Sequence, residues 1–278
     1  MRLMPTMIPP FRRGWRFPAA VLAAVSFCQP GLTANRTLET VLARAGEEAG
    51  LFWKQFSSIA CTETVEQAKL DPEGKLLNYR KASYDYLVFL QWTGGELRVE
   101  ESRILQSETK PKKIKRPTHR PLLVTNGFST LLVVFHPNFQ SSYRFTLGRQ
   151  EPAGGKALLR IDFEQVTGAP TPAALVLKQR TYPLEWKGSA WIDPDSGAVV
   201  RIKTGLKRPL TEIGLLALNA EVVYAPYRFA DGDDSYWLPT RAVITAQTKR
   251  QRWRNVHRFS DYKRFSVKTE VTVANPEQ

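Results

Sequence analysis

The sequence predicts a mainly β protein of α+β class. It would be a large curved antiparallel sheet, or half-barrel, of about ten strands, with an N-terminal amphipathic helix against its concave face. Three observations lead there. Apolar and polar residues alternate with the strand period of two in one segment after another. Gly-, Pro- and Asp-rich turn signals separate these segments. Only one stretch carries a sustained helical period. The clearest hairpin spans residues 185–203. Ala190 and Ile192 share a face before the turn Asp193-Pro194-Asp195-Ser196-Gly197, and Val200 and Ile202 alternate with Arg201 and Lys203 after it.

At the N-terminus, Arg2, Arg12, Arg13 and Arg16 precede an apolar run over 17–27. That run is too short to span a bilayer but has the length of a signal h-region. Residues 1–34 are therefore expected to be a secretory signal peptide cleaved near Ala34/Asn35, and the mature protein to be periplasmic or extracytoplasmic. An uncleaved anchor is the alternative. Lipid attachment at Cys28 is less favoured, because Phe27 rather than a small residue precedes it. Cleavage would leave Cys61 as the lone thiol, which excludes an intramolecular disulfide. The chain carries 40 Lys+Arg against 26 Asp+Glu, a formal +14. Since the leader contributes four arginines and no acid, the mature chain stays strongly basic, which points to an anionic partner.

Residues 35–269 are expected to form one domain, because no long linker or composition break divides them, and 270–278 to be a frayed tail. The helix is predicted over 35–56. Leu38, Leu42, Ala45, Ala49, Phe52 and Phe56 form its apolar stripe, Thr37 is its N-cap, and Glu39 sits favourably against the dipole. A hairpin follows around Asp71-Pro72-Glu73-Gly74, with Tyr84, Tyr86 and Val88 sharing one face of its second strand. Residues 107–121 break the pattern. Lys110, Lys112, Lys113, Lys115, Arg116 and Arg120 stand among prolines with almost no aliphatic residue, predicting an exposed loop that is either a solvated charged face without a partner or a contact for an anionic surface. The apolar run 127–135 is predicted as a short helix, and strands fill the remainder. In the last of them, Arg252, Arg254 and Arg258 share a face, as on an edge strand charged against unwanted pairing.

The three histidines, His119, His136 and His257, lack the spacing of a metal site. There is no nucleophile elbow, P-loop or dinucleotide glycine pattern. No catalytic, cofactor or metal-ligating residue is assigned, no cofactor is expected, and nucleic acid is not the expected partner of an exported chain.

The stretch Trp191-Ile192-Asp193-Pro194-Asp195-Ser196-Gly197-Ala198-Val199-Val200-Arg201-Ile202 resembles a hairpin of the outer-membrane lipoprotein-sorting superfamily, which includes periplasmic lipoprotein carriers and a related envelope-stress regulator. Trp237-Leu238-Pro239-Thr240 and Asp261-Tyr262-Lys263-Arg264-Phe265 also resemble closing strands of similar exported proteins. The resemblance implies an incomplete barrel wrapped around helices, holding acyl chains in an apolar cavity. On that basis the chain is expected to be a non-enzymatic carrier or sensor of an acyl chain, lipid or lipoprotein, with Tyr84, Tyr86, Val88, Val200 and Ile202 as the ligand face. The alternative is an envelope module that docks on a partner protein or anionic surface and has no internal ligand. The basic Pro-rich insertion departs from the family, and the carriers' functional arginine has no assignable position here.

Overall fold

The computed structural model describes residues 37–93, 96–109, 123, 125, 127–153, 155–171, 174–177, 180–230, 232 and 234–265. The expected signal peptide, the basic residues Lys110, Lys112, Lys113, Lys115, Arg116 and Arg120, and the tail lie outside them. The single helical period becomes α1, Leu38–Phe56. Thr37 caps it, its hydroxyl accepting the amide of Thr40 at 3.3 Å. Its buried stripe is Val41, Ala45, Ala49, Phe52 and Phe56, joined by Gly46 and Trp53. Leu38 and Leu42, expected on that stripe, are half-buried at its rim.

Ten strands form one open antiparallel sheet: β1 (Ile59–Leu70), β2 (Leu76–Thr93), β3 (Glu96–Thr109), β4 (Tyr143–Ala153), β5 (Lys156–Gln165), β8 (Trp186–Ile192), β9 (Val199–Leu206), β10 (Leu215–Arg228), β11 (Ser235–Thr248) and β12 (Arg252–Arg264). Strands β6 (Ala174–Leu177) and β7 (Arg180–Pro183) make a separate hairpin. The order is β3-β2-β1-β12-β11-β10-β9-β8-β5-β4. The last strand is therefore interior, paired with β1 from Ile59 opposite Arg264 to Leu70 opposite Arg252, and not an edge. Its charged face belongs to the solvent side of the sheet, while Asn255, His257 and Phe259 face the core. A one-sided charge pattern is common to edge and central strands of a sheet wetted on one side, so it does not discriminate between them.

The sheet must curl. Helix α1 touches both β2 and β4, which stand eight strand spacings apart. Laid flat, that span is about 38 Å, whereas the 19-residue helix is only about 28 Å long. The helix thus sits inside a trough. Strands β3 and β4 are consecutive along the chain yet form opposite edges. The connection between them brings a 3-10 helix, Phe128–Phe135, onto α1, β9, β10 and β11. All of it but Phe128 is buried. Tyr224 anchors it, its hydroxyl donating to Ser129 O at 3.0 Å and accepting from Leu132 N at 3.3 Å. The following turn, α2 (Pro137–Gln140), is sewn to α1 by Gln140, which donates to Leu42 O and Phe135 O. Gly46 permits this approach, for a Cβ there would stand 2.8 Å from Gln140 Nε2.

The Asp193–Gly197 turn does more than reverse the chain. Asp193 Oδ1 accepts the amides of Asp195 and Ser196, while Oδ2 accepts Lys156 Nζ at 2.8 Å. This self-bonded turn seats α1, because Arg44 donates to Pro194 O at 2.8 Å. Gly197 has φ 81° and lies so near that an added Cβ would come within 2.7 Å of Arg44. A bulge opposite Trp191/Ile192 makes Val199, not Val200, the partner of Ile192. Strict alternation therefore misplaces Val200.

Gly197→Ala should cost about 2–4 kcal/mol, from left-handed backbone strain plus the collision with α1. Gly74 also has positive φ but open space around it, so Gly74→Ala isolates the strain alone. Thermal unfolding should show a clearly larger loss at Gly197. Equal losses would mean that the turn does not seat the helix.

Candidate functional site

The candidate site is the concave interior between the sheet and its cover of α1 and the 3-10 helix. Of the residues nominated as a ligand face, Tyr86, Val88 and Ile202 do lie in the core, at 1%, 1% and 0% exposure. Tyr84 is half-buried beside them in sequence, and Val200 is half-buried outside the core cluster because of the bulge. The nominated face is thus already covered by the chain's own apolar groups, among them Phe52, Phe56, Leu132 and Phe135.

Toward β4, β5 and β8 the interior is aromatic. Tyr143 packs edge-on to Phe163 at 5.9 Å, Phe135 to Phe163 at 6.2 Å, and Phe128 to Trp186 at 6.4 Å. Tyr143 stands opposite Gln165, whose side-chain oxygen accepts the Trp186 amide at 3.2 Å. Two polar atoms here are buried without a hydrogen bond to any described residue: Tyr143 Oη and Trp186 Nε1. Burial pushes the Tyr143 hydroxyl well above its usual pKa. Sequence reasoning missed both residues, since periodicity reports which way a ring points but not whether its polar atom finds a partner.

Under β1, β2, β3 and β12 the interior holds a polar cluster. Glu63, fully buried, accepts from Arg103 Nε at 2.5 Å and Nη2 at 3.0 Å, and its Oε1 lies 2.7 Å from His257 Nδ1. Arg103 also pairs with Glu101, which takes hydrogen bonds from the Tyr86 hydroxyl and the Gly127 amide. His257 Nε2 meets the Thr125 hydroxyl at 2.8 Å, and Asn255 and Gln67 both donate to Leu123 O. The cluster grips the connection at Leu123, Thr125 and Gly127, just before its 3-10 helix.

A carboxylate, imidazole and hydroxyl in series can activate a nucleophile. Here the Thr125 hydroxyl is buried and also accepts from Asn255, and Glu63 shares its charge with Arg103. The series is built to clamp. His257 is a buried histidine with both ring nitrogens partnered. Among the described residues no group of His, Cys, Asp or Glu could hold a metal ion, and no helix is long and apolar enough to cross a membrane.

Burial alone would raise the Glu63 pKa, but the hydrogen bonds from His257 and Arg103, with the Arg103 charge, outweigh it and hold the group below its ordinary 4.5. Its ionised form therefore adds stability above about pH 4.5, lost as pH falls through the folded-state value. Glu63→Gln should cost about 3 kcal/mol at neutral pH by leaving the partly buried Arg103 with Glu101 as its remaining carboxylate and His257 without its anion, and should flatten the acid limb. Denaturant unfolding across neutral to acid pH checks this. Parallel losses in parent and variant would contradict the clamp.

No family model and no curated protein matches the chain. Solved structures similar to it include a LolA superfamily protein from Nitrosomonas europaea, at 12% identity, covering 84% of this chain and 95% of that one, TM-score 0.34. Another is a domain assigned to outer membrane lipoprotein sorting from Vibrio parahaemolyticus, at 14% identity, with coverages of 84% and 95% and TM-score 0.40. A third is a DUF1329 family protein from Desulfovibrio piger, at 10% identity, with coverages of 81% and 93% and TM-score 0.37.

Proposed function

We propose that this chain is an exported envelope protein that carries or senses an acyl chain, lipid or lipoprotein, held between the sheet and its cover, without catalysing a reaction. The observation that carries the reading is the pair of orphaned polar atoms, Tyr143 Oη and Trp186 Nε1, in an otherwise aromatic interior. Leaving such a group unpaired costs about 1–3 kcal/mol. An ester or amide carbonyl at the head of an acyl chain would accept from either. Entry requires the 3-10 helix to yield. The segment is kinked at Thr130, and 3-10 hydrogen bonds are in general weaker than those of an α-helix such as α1, so it is the layer proposed to open.

Export rests on the cationic and apolar pattern of residues 1–34. The basic residues Lys110, Lys112, Lys113, Lys115, Arg116 and Arg120 are proposed to attach the protein reversibly to an anionic membrane surface. The second reading, an envelope module with no internal ligand, is favoured by the nearly complete burial of Tyr86, Val88 and Ile202 under the chain's own groups.

Lipid extraction and mass spectrometry of protein purified from its envelope should recover acyl species. Tyr143→Phe keeps the ring and removes only the unpartnered hydroxyl, so it should leave stability unchanged or slightly raised while lowering ligand retention about fivefold, the worth of one ordinary hydrogen bond. A parent that carries no lipid would favour the module. Equal retention by the variant would mean that Tyr143 does not meet the ligand.

A further inference from the structure

We propose that the face of the sheet turned away from α1 carries a second binding site, for an extended saccharide bearing sparse negative charges, such as a carboxylated envelope glycan. Along this face runs an open groove of about 940 Å³ crossing β4, β5, β8, β9, β10 and β11. Two transverse rows of side chains form its floor, set by the strand register. One runs Thr146, Asp162, Ser189, Lys203, Glu221 and Val243. The other runs Arg144, Glu164, Lys187, Gly205, Asn219 and Thr245. Gly205 keeps the second row low, since a Cβ there would stand 2.4 Å from Asn219 Oδ1. A third row, with Arg160, Trp191, Arg201 and Arg241, borders the floor.

The charges decide the ligand. Each floor acid already has a cation: Asp162 has Arg160, Glu164 has Lys207, and Glu221 has Arg201 and Lys203. Trp191 orders this side of the groove, with the Arg201 guanidinium 4.8 Å from its ring centre. Arg144, Lys187 and Arg241 form no side-chain hydrogen bond or ion pair with a described residue; Arg144 and Lys187 flank Glu164 in register, but its charge is already met by Lys207, so the row keeps an excess of positive charge. Arg241 stands directly opposite Arg258, an arrangement that lowers sheet stability and so is not explained by folding. These three surplus cations are spread over six strands and interleaved with the hydroxyls of Thr146, Ser189 and Thr245 and the amide of Asn219. A densely charged polyphosphate would also meet the floor carboxylates, and a flat bilayer would not follow a recessed floor. A sugar chain with widely spaced carboxylates matches both the hydroxyl-bonding groups and the spacing of the cations.

The site is independent of any ligand in the concave interior. Isothermal titration with a short oligogalacturonate, using protein in which Lys112, Lys113, Lys115 and Arg116 are already Gln, removes the contribution of that basic segment. Binding is expected, stronger than for a neutral oligosaccharide of equal length and weakened by salt. Combining Arg144→Gln with Lys187→Gln should lower affinity about tenfold or more, with unfolding temperature unchanged because both side chains are exposed and support no packing. Tyr143→Phe should have no effect on this binding. The proposal is overturned by absence of binding, by equal binding of the double variant, or by tighter binding of single-stranded DNA or anionic vesicles that depends on the same two residues.

Discussion

The pairing of β1 with β12 is the constraint on which the architecture depends. It joins the first and last strands side by side within the sheet, and the strands met midway along the chain, β3 and β4, become the two edges. Their connection must then pass from one rim of the trough to the other. Placing the apolar run Phe128–Phe135 in that connection closes the concave face from within, and α1 completes the cover. Such an arrangement depends on contacts between residues nearly two hundred positions apart, as between Glu63 and His257. Folding is expected to be slow for that reason.

Two different solutions to buried polarity lie within this interior. Beneath β1, β2, β3 and β12 Glu63, Arg103, His257 and Thr125 bond one another, leaving Asn255 Oδ1 as the buried acceptor without a described partner, and low local dielectric strengthens such a network. It fixes the connection where it enters the trough. Toward β4, β5 and β8 the polar atoms of Tyr143 and Trp186 are left without a described partner. One end of the cover is held by charge and hydrogen bonds. In the proposed function the other end lies over the unpartnered atoms that a ligand would meet, and the cover hinges at the held end.

Much of this fold was legible in the sequence because it is local. The helical period of α1, the Thr37 cap and the Asp193–Gly197 turn each depend on neighbours a few residues away, and each formed where its pattern placed it. What was not legible is set by pairing across distance. The arginines of β12 announce a solvent face whether the strand is central or at an edge, so its central position escaped. Val200 lost its inward place to a bulge that only the partner strand imposes. Glu63 and Arg103 appear in the sequence as ordinary polar residues of alternating strands. Their burial follows from a connection folding over them, and nothing in a period of two encodes that.

The central claim is that the 3-10 helix is a separable layer over a stable sheet. Native-state amide hydrogen exchange of the full mature chain measures this directly. The amides of residues 131–135 should open with a markedly smaller free energy than those of Ile202, Val222 and Ile244 in the sheet beneath. Equal protection of the two sets, exchanging together only by global unfolding, would show the cover to be an inseparable part of the core and would contradict the carrier account.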